Sequence, residues 1–276
     1  MQNQQTDQNP FDTLGFLIES TLDGSKTLRL KTQPFVDLQA NETPRTGESM
    51  HHSGGAFSET CYIYGPPLEW ALKSISQPRV LSIGLGLGYV EILTATLAAV
   101  HKNSLWSLDS FEIVEGLRIR FQEFILADAL QHPYHEILDR MAVTFSVPTF
   151  EIKEQLKKAL TENRLKLKGE LSTKELVPNT YNVICQDAFS KKTNPDLWNE
   201  EFLAELMKSC DQNLSILSSY ASLGPLKRAV KAAGFNLHVR DGFYGKRNCT
   251  LAGRGIDPLT AIKDFQFLEQ ISSNKK

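Results

Sequence analysis

The chain has 276 residues, of which 41% are hydrophobic and 22% charged, and this balance excludes extended disorder, collagen-like repeats and coiled coils. Basic and acidic side chains nearly cancel to a net charge of −2, so a polyanionic partner would have to meet a local basic patch. No apolar run approaches the ~20 residues that span a bilayer, and the Gln- and Asn-rich start lacks signal-peptide features. We therefore expect a cytoplasmic protein without membrane contact.

The four cysteines are far apart in the sequence and lack the short spacing of a zinc site. They are Cys61, Cys185, Cys210 and Cys249. Three of them lie in apolar segments, which predicts buried, reduced thiols and no metal site.

The chain divides into four predicted regions. They are a disordered tail (1–15), an N-terminal strand-and-loop extension (16–75), a main domain (76–255), and a C-terminal segment and tail (256–276). The extension is rich in Thr, Gly and Pro, with short β-like pieces at 27–30 and 61–64, so we expect it to be β-rich.

Strands and helices alternate in the main domain, which predicts an α/β fold with a parallel sheet and right-handed crossovers. The predicted strands are 80–83, 105–112, 143–147, 181–186 and 214–220, with a closing hairpin from 236–240 and 249–252. The predicted helices are 90–100, 117–130, 152–160, 196–209 and 226–233. Such sheets bind ligands at the carboxyl ends of their strands, which is where we look for functional residues.

A glycine-rich turn follows the first of these strands. Gly84, Gly86 and Gly88 let the backbone turn tightly and approach a ligand without interference from a Cβ atom. The spacing is G-x-G-x-G rather than the G-x-G-x-x-G of dinucleotide folds, because position 89 is Tyr. This favours a nucleoside cofactor without a pyrophosphate, typically S-adenosylmethionine, over NAD; the alternative is a turn that binds no ligand.

Glu112 closes the second predicted strand, 24 positions beyond Gly88. In dinucleotide folds an acidic side chain roughly 20 residues past the glycines accepts hydrogen bonds from ribose hydroxyls. Asp109 competes for this role, and a solvated surface acid is the alternative. After the fourth strand, Asp187, Ala188 and Phe189 place a carboxylate beside an aromatic ring. That pair suits a polar substrate group next to a planar one, although a loop cap would use the same residues.

Several segments together resemble one family, the methyltransferase domain of MnmC. The fourth-strand signature is carried by YNVICQDAFS at 181–190 and NPDLW at 194–198, with AGF at 233–235 and GFYGKR at 242–247. The strand-and-loop lid of the family is similar to GESMH at 47–51 and GAFSETCY at 55–62. The resemblance runs from about Thr21 to Gly253, and the combination of motifs is much narrower than the glycine turn alone.

The resemblance implies a Rossmann-like class I methyltransferase fold, mostly parallel, with a C-terminal antiparallel hairpin. It implies that S-adenosylmethionine is used to methylate the exocyclic amine of 5-aminomethyluridine at the tRNA wobble position. It adds cofactor contacts by Glu48, His51, Glu59, Ala188 and Phe189. A flavin oxidoreductase domain follows in bifunctional members; this chain ends too early to hold one, so we expect no flavin and a separate enzyme supplying the aminomethyl intermediate.

The sequence departs from the family pattern at polar cofactor contacts. Ser82 stands where the family has an acidic residue two before the first glycine, and Val147-Pro148 stand where we expect Gly-Asp after the third strand. Asp187 is preceded by Gln186 rather than an apolar residue. These departures predict weakened cofactor binding on an intact fold.

The chemistry requires a neutral amine. A primary alkylamine with a pKa near 10.4 is neutral in only roughly one molecule in a thousand at pH 7, and passing its proton to an ordinary carboxylate is uphill by about 9 kcal/mol. We therefore expect Asp187, the candidate catalytic residue, to orient the amine while desolvation lowers the amine's pKa and water takes the proton.

Cations near the strand ends are candidates for a phosphate-binding rim. Lys191 and Lys192 follow Asp187 closely, and Lys246 and Arg247 lie in the turn before the last strand. Scattered solvated lysines are the alternative. Trp198 and Phe202, four apart on a predicted helix, indicate core packing rather than a base-stacking platform. Two further functions stay open: a transferase acting on another small amine, and a non-catalytic protein of this fold that binds RNA or a partner.

Overall fold

The computed structural model describes residues 9–31, 47–127, 132–245 and 248–265. The strands of this part are β1 (Phe16–Ser20), β2 (Lys26–Leu30), β3 (Arg79–Ile83), β4 (Ser107–Phe111), β5 (Leu165–Lys168), β6 (Val183–Gln186), β7 (Ser215–Ser219), β8 (Asn236–Arg240) and β9 (Cys249–Arg254). Its α-helices are α1 (Ala56–Ser74), α2 (Tyr89–Val100), α3 (Glu115–Leu126), α4 (Tyr134–Phe145), α5 (Thr149–Thr161), α6 (Glu200–Ser209), α7 (Gly224–Ala232) and α8 (Pro258–Asp264).

The main sheet has the order β5-β4-β3-β6-β7-β9-β8. The first five strands in this order are parallel, and β9 runs antiparallel to both β7 and β8. The predicted Rossmann-like class I fold, with its antiparallel C-terminal hairpin, is confirmed. The chain runs outward from β3 to β5 and then returns to β6 beside β3, so the switch point at which such sheets bind ligands lies between β3 and β6.

Two apolar layers cover the faces of the sheet. Neighbouring residues of one strand enter different layers, as Val80 and Leu81 do on β3, because side chains alternate along a strand. Helices α2, α4 and α5 pack together in one layer, and α6 packs on α7. Trp198 and Phe202 are buried core residues, as predicted. All four cysteines are buried and free, which confirms the prediction of reduced thiols.

The expectation that residues 61–64 form a strand is wrong, because they lie within the 19-residue helix α1. Nearly every residue of α1 is buried, so its sequence carries no amphipathic period that would separate a helix from a strand. The other β-like piece, 27–30, does lie in β2, which pairs antiparallel with β1. The N-terminal extension is therefore a hairpin followed by a long buried helix; the region boundaries stay a prediction.

The expectation that residues 143–147 form the third strand is also wrong. Met141 and Phe145 are buried while Val143 is 82% exposed, which is the spacing of helix α4. The third strand of the main sheet is β5, at its edge. Val147-Pro148 therefore follow a helix, and the residues after the third strand are Gly169 and Glu170. The glycine-acid pair expected after the third strand is therefore present as Gly169-Glu170, and the departure predicted at Val147-Pro148 is wrong.

Candidate functional site

The glycine turn joins β3 to α2 in a conformation that requires glycine. Gly84, Gly86 and Gly88 have φ of +100°, +51° and +71°. A Cβ at Gly84 would lie 2.7 Å from the backbone oxygen of Asp187, and one at Gly86 would lie 2.8 Å from Met50 Sδ. The turn therefore presents bare backbone to the space between β3, β6 and the segment that contains Met50.

Glu112 lies against this turn. Its two carboxylate oxygens accept hydrogen bonds from the backbone nitrogens of Gly86 (3.3 Å) and Val114 (2.9 Å). Burial raises the pKa of Glu112, although these hydrogen bonds oppose the increase. Asp109, its competitor in the sequence, is held by Lys168 and by the Tyr181 hydroxyl at 2.8 Å each. Glu112 is therefore the acid placed at the glycine turn, and Asp109 has a structural role.

Beyond Glu112, two neighbouring strands end in residues that face solvent. The backbone nitrogen of Glu112 donates to the Lys168 oxygen at 3.0 Å and holds the ends of β4 and β5 together. Ile113, after β4, is 65% exposed, and Glu170, after β5, is exposed. An apolar side chain and a carboxylate thus stand at adjacent strand ends on the side of Glu112.

Asp187 follows β6 and is held by a residue from α1. The Tyr64 hydroxyl donates to Asp187 Oδ1 at 2.7 Å and lies 3.2 Å from the Gln186 backbone oxygen. Burial raises the pKa of Tyr64, and the negative charge of Asp187 raises it further. Tyr64 therefore stays a hydrogen-bond donor and fixes the orientation of the Asp187 carboxylate.

A cavity of about 210 Å³ adjoins Asp187. Its lining residues are Glu48, Ser49, Met50, His51, His52, Ser53, Glu59, Asp187, Phe189 and Tyr220. Burial raises the pKa of Tyr220, and the charges of Asp187, Glu48 and Glu59 act in the same direction. Because three carboxylates surround so small a volume, the cavity favours a cationic group over a neutral or anionic one.

Residues 47–55, which we call the cover segment, form one wall of this cavity. Glu48 accepts hydrogen bonds from the backbone and hydroxyl of Ser190 (3.1 and 2.8 Å) and from the Thr193 hydroxyl (2.6 Å). Glu59, at the start of α1, accepts from the backbone nitrogen of His52 at 2.6 Å. Both acids therefore attach the cover segment to the domain while lining the cavity.

His51 of the cover segment is packed rather than projecting alone. Its Nδ1 lies 3.0 Å from the Thr27 hydroxyl, and its ring meets Tyr89 edge-on at a centroid distance of 5.0 Å.

Ala188 is buried, and its backbone oxygen accepts a hydrogen bond from the Tyr220 hydroxyl at 2.9 Å. Tyr220 ends a strand predicted from sequence, so the strand-end rule alone would have found it.

The basic candidates divide into two pairs. Lys191 and Lys192 are exposed beyond Ser190, in the loop to which Glu48 is bonded. Lys246 and Arg247 lie outside the described residues.

Within the described ranges, no three His, Cys, Asp or Glu side chains are grouped to hold a metal ion. No helix in this part of the chain is long and apolar enough to cross a membrane.

Comparison with known proteins places this geometry in a family. Residues 132–254 match the S-adenosyl-L-methionine-dependent methyltransferase family that includes MnmC-type domains. An uncharacterized protein of Methanocaldococcus jannaschii is 31% identical over 209 residues, covering 74% of this chain and 54% of that protein. The tRNA 5-methylaminomethyl-2-thiouridine biosynthesis bifunctional protein MnmC of Campylobacter hominis is 24% identical over 196 residues, covering 69% of this chain and 28% of that protein. The chain thus spans about half the length of the first relative and less of the second.

Among solved structures, MnmC2 from Aquifex aeolicus matches with a TM-score of 0.58 and 23% identity, over 91% of this chain and 75% of that one. At this identity the likeness concerns the fold.

Proposed function

Because the chain carries an S-adenosyl-L-methionine-dependent methyltransferase domain of the MnmC type, we propose that it methylates the exocyclic amine of 5-aminomethyluridine at the wobble position of tRNA. The observation that supports this most is the small cavity lined by the carboxylates of Asp187, Glu48 and Glu59. Asp187 and Met50, which also lines it, lie against Gly84 and Gly86 of the glycine turn. An alkylammonium group is cationic and compact, as that cavity requires. The proposal includes a cytoplasmic location and a separate enzyme that supplies the aminomethyl group.

The residues around the glycine turn fit the cofactor. Gly84 and Gly86 have no Cβ and adopt a positive φ, so their backbone can approach a ligand closely. Each oxygen of Glu112 accepts one backbone hydrogen bond and retains a lone pair for a ribose hydroxyl. Ile113 and Glu170 offer an apolar contact and an acceptor for an adenine amino group. When bound, S-adenosylmethionine supplies a methyl group on a sulfonium centre.

Asp187 is proposed to hold the amine rather than to deprotonate it. Its carboxylate already accepts one hydrogen bond from Tyr64, which fixes its direction and leaves acceptor capacity for an amine N–H. The three carboxylates that line the cavity stabilise the ammonium form of the amine, which cannot attack the methyl group. Because an ordinary carboxylate is too weak a base to take this proton, we propose that the amine loses it to water before it attacks. Orientation of the neutral amine is then the contribution of Asp187, and Tyr64 acts through it as a positioning residue.

The test is Asp187→Asn, which keeps the shape of the side chain and removes its charge. We expect single-turnover methylation of undermodified tRNA to slow by about 100-fold, the size expected for lost orientation, with cofactor affinity measured by calorimetry nearly unchanged. Asp196→Asn is the matched control, since Asp196 is exposed nine residues further along. An unchanged rate in Asp187→Asn would show that the assigned role is wrong.

A second candidate is methylation of another small amine. The acidic cavity suits an ammonium group, but its carboxylates do not select the molecule to which that group is attached. A wild-type protein that binds the cofactor, leaves undermodified tRNA unmethylated and methylates a free alkylamine would favour this alternative. The non-catalytic alternative rested partly on the apparent loss of an acid at Val147-Pro148, and Gly169-Glu170 remove that support.

A further inference from the structure

Tyr244 stands out among the aromatic residues near the cavity. It lies in the turn between β8 and β9 with φ +51° and ψ +47°, a left-handed conformation that bulky residues rarely adopt. Its side chain is nevertheless 43% exposed. Because much of this large ring faces solvent, core packing alone does not account for the strained backbone.

The neighbours of Tyr244 connect it to the cavity. Its ring centroid lies 5.8 Å from His52 and 6.0 Å from Phe243. A Cβ at Gly54 would lie 2.6 Å from Tyr244 Cγ, so the ring rests directly on the backbone of the cover segment. His52 lines the acidic cavity together with Asp187. The ring of Tyr244 is therefore held at a defined place between the cavity wall and solvent.

We propose that Tyr244 is the surface on which the pyrimidine ring of the substrate stacks while its aminomethyl group enters the cavity. This inference rests on the proposed function. The aminomethyl arm has one carbon, so an amine held by Asp187 leaves the attached base beside the residues that line the cavity, which include His52. A planar base taken out of its stack is stabilised by an aromatic partner there, and Tyr244, exposed beside His52, is thus a substrate-binding residue for the base.

The experiment uses anticodon stem-loops with 5-aminomethyluridine or an abasic site at the wobble position. Tyr244→Asn removes the ring but tolerates the left-handed backbone, and Tyr244→Phe keeps the ring. We expect Tyr244→Asn to raise the KM for the modified stem-loop by about 5- to 150-fold, the range for one stacked base, with kcat and cofactor affinity nearly unchanged. Tyr244→Phe should stay within about twofold of wild type, since the stacking face is intact.

Two further readouts separate stacking from other effects. Stacking releases no counterions, so the salt dependence of stem-loop binding should be the same in Tyr244→Asn and wild type. Wild type should bind the modified stem-loop more tightly than the abasic one, and Tyr244→Asn should bind both alike. Phe150→Ala, which removes an aromatic ring 66% exposed on α5, is the control and should change none of these values.

The inference is overturned if Tyr244→Asn leaves both KM and the preference for the base unchanged, or if kcat falls while KM stays constant. If wild type binds the base-containing stem-loop more tightly but does not methylate it, the proposed reaction is wrong. In that case, loss of the binding preference in Tyr244→Asn would still support stacking on Tyr244. If wild type does not distinguish the two stem-loops, stacking on Tyr244 is wrong.

Discussion

At the scale of single residues, a buried carboxylate lies beneath the glycine turn. Glu91, in the first turn of α2, is fully buried and accepts a hydrogen bond from the Ser110 hydroxyl at 2.7 Å. Burial raises the pKa of Glu91 to about 7, although the hydroxyls of Ser110 and Ser82 oppose the increase. At Ser82 the sequence lacks the acidic residue that the family has. Glu91, on helix α2, lies close to Ser82 and places a carboxyl group there.

This carboxyl predicts a pH dependence of stability. The pKa of Glu91 is higher in the folded chain than in the unfolded one, so the fold favours the protonated carboxyl. The contribution of this carboxyl to the free energy of unfolding is complete below the unfolded pKa of 4.5 and is lost as pH rises to about 7. Glu91→Gln keeps the neutral form, so we expect it to be more stable than wild type by up to about 3 kcal/mol at pH 8 and equal to it near pH 4. Denaturant unfolding across pH measures the difference, and Glu154→Gln, an exposed change on α5, should show no such trend.

A second residue-scale prediction concerns the glycine turn. Gly86→Val places a branched side chain against Met50 at φ +51°, and we expect cofactor affinity to fall by about 10-fold or more, in line with a steric cost of 1–3 kcal/mol. Gly234→Val is the matched control, because Gly234 also has a positive φ (+77°) but has no atom within 4 Å of an added Cβ. Calorimetry that finds equal affinity in both variants would contradict a role of this turn in cofactor binding.

At the scale of elements, the β1–β2 hairpin and α1 are joined through Asp23. Its carboxylate accepts from the backbone nitrogens of Ser25 (2.9 Å) and Ser58 (3.1 Å), and Arg140 lies 3.4 Å away. Burial opposes ionisation of Asp23, but the hydrogen bonds and Arg140 outweigh it and lower its pKa. Since α1 also carries Glu59 and Tyr64, this junction determines where two site residues lie.

Removing the charge at this junction is expected to destabilise the chain. Asp23→Asn loses charge-assisted hydrogen bonds to the start of α1, so we expect a loss of about 2–3 kcal/mol in the free energy of unfolding at pH 7. Because the pKa is lowered in the folded chain, this contribution is complete above the unfolded value of 3.8 and is lost as pH falls below it, so the difference from wild type should shrink there. Asp257→Asn is the control: it removes a charge at the start of α8 but keeps an oxygen that accepts the exposed cap bond from Leu259, so it should cost under about 1 kcal/mol.

At the scale of the whole molecule, acidic and basic groups are separated around the site. Three carboxylates line the cavity, while Lys191 and Lys192 stand exposed on the loop that Glu48 fastens to the cover segment. A protein of net charge −2 that binds tRNA must concentrate its cations in this way. Lys246 and Arg247 remain a sequence prediction, because they lie outside the described residues.

The charge distribution predicts how tRNA binding depends on salt. Lys191→Gln together with Lys192→Gln should weaken tRNA binding and reduce the slope of log affinity against log salt by roughly one to two units, with cofactor affinity unchanged. Lys157→Gln with Lys158→Gln removes the same charge from exposed positions on α5, which contributes no lining residue to the cavity, and should leave the slope unaltered. Equal slopes in both double variants would mean that the lysines after Asp187 are merely solvated.

Sequence by itself determined the features that depend on neighbouring residues. The alternation of apolar strands and helices predicted the sheet, and the glycines after a strand predicted the left-handed turn, because both follow from local periodicity and backbone sterics. The ends of strands β4 and β6 placed Glu112 and Asp187 at one edge of the sheet by the same rule. Tyr220, at the end of β7, follows from that rule but was not singled out in the sequence.

Tertiary structure alone decided which distant residues meet. Helix α1 is buried on all sides, so its sequence lacks the period that would identify it, and the bond from Tyr64 to Asp187 joins residues 123 positions apart. The edge strand β5 has only four residues, so its Leu-Lys alternation is too brief to identify it, and its pairing with β4 brings Gly169-Glu170 to the ends of the strands near Glu112. Burial raised the pKa of Glu91. The fold also brought Ser190 and Thr193 to Glu48, which accepts three hydrogen bonds from residues more than 140 positions away.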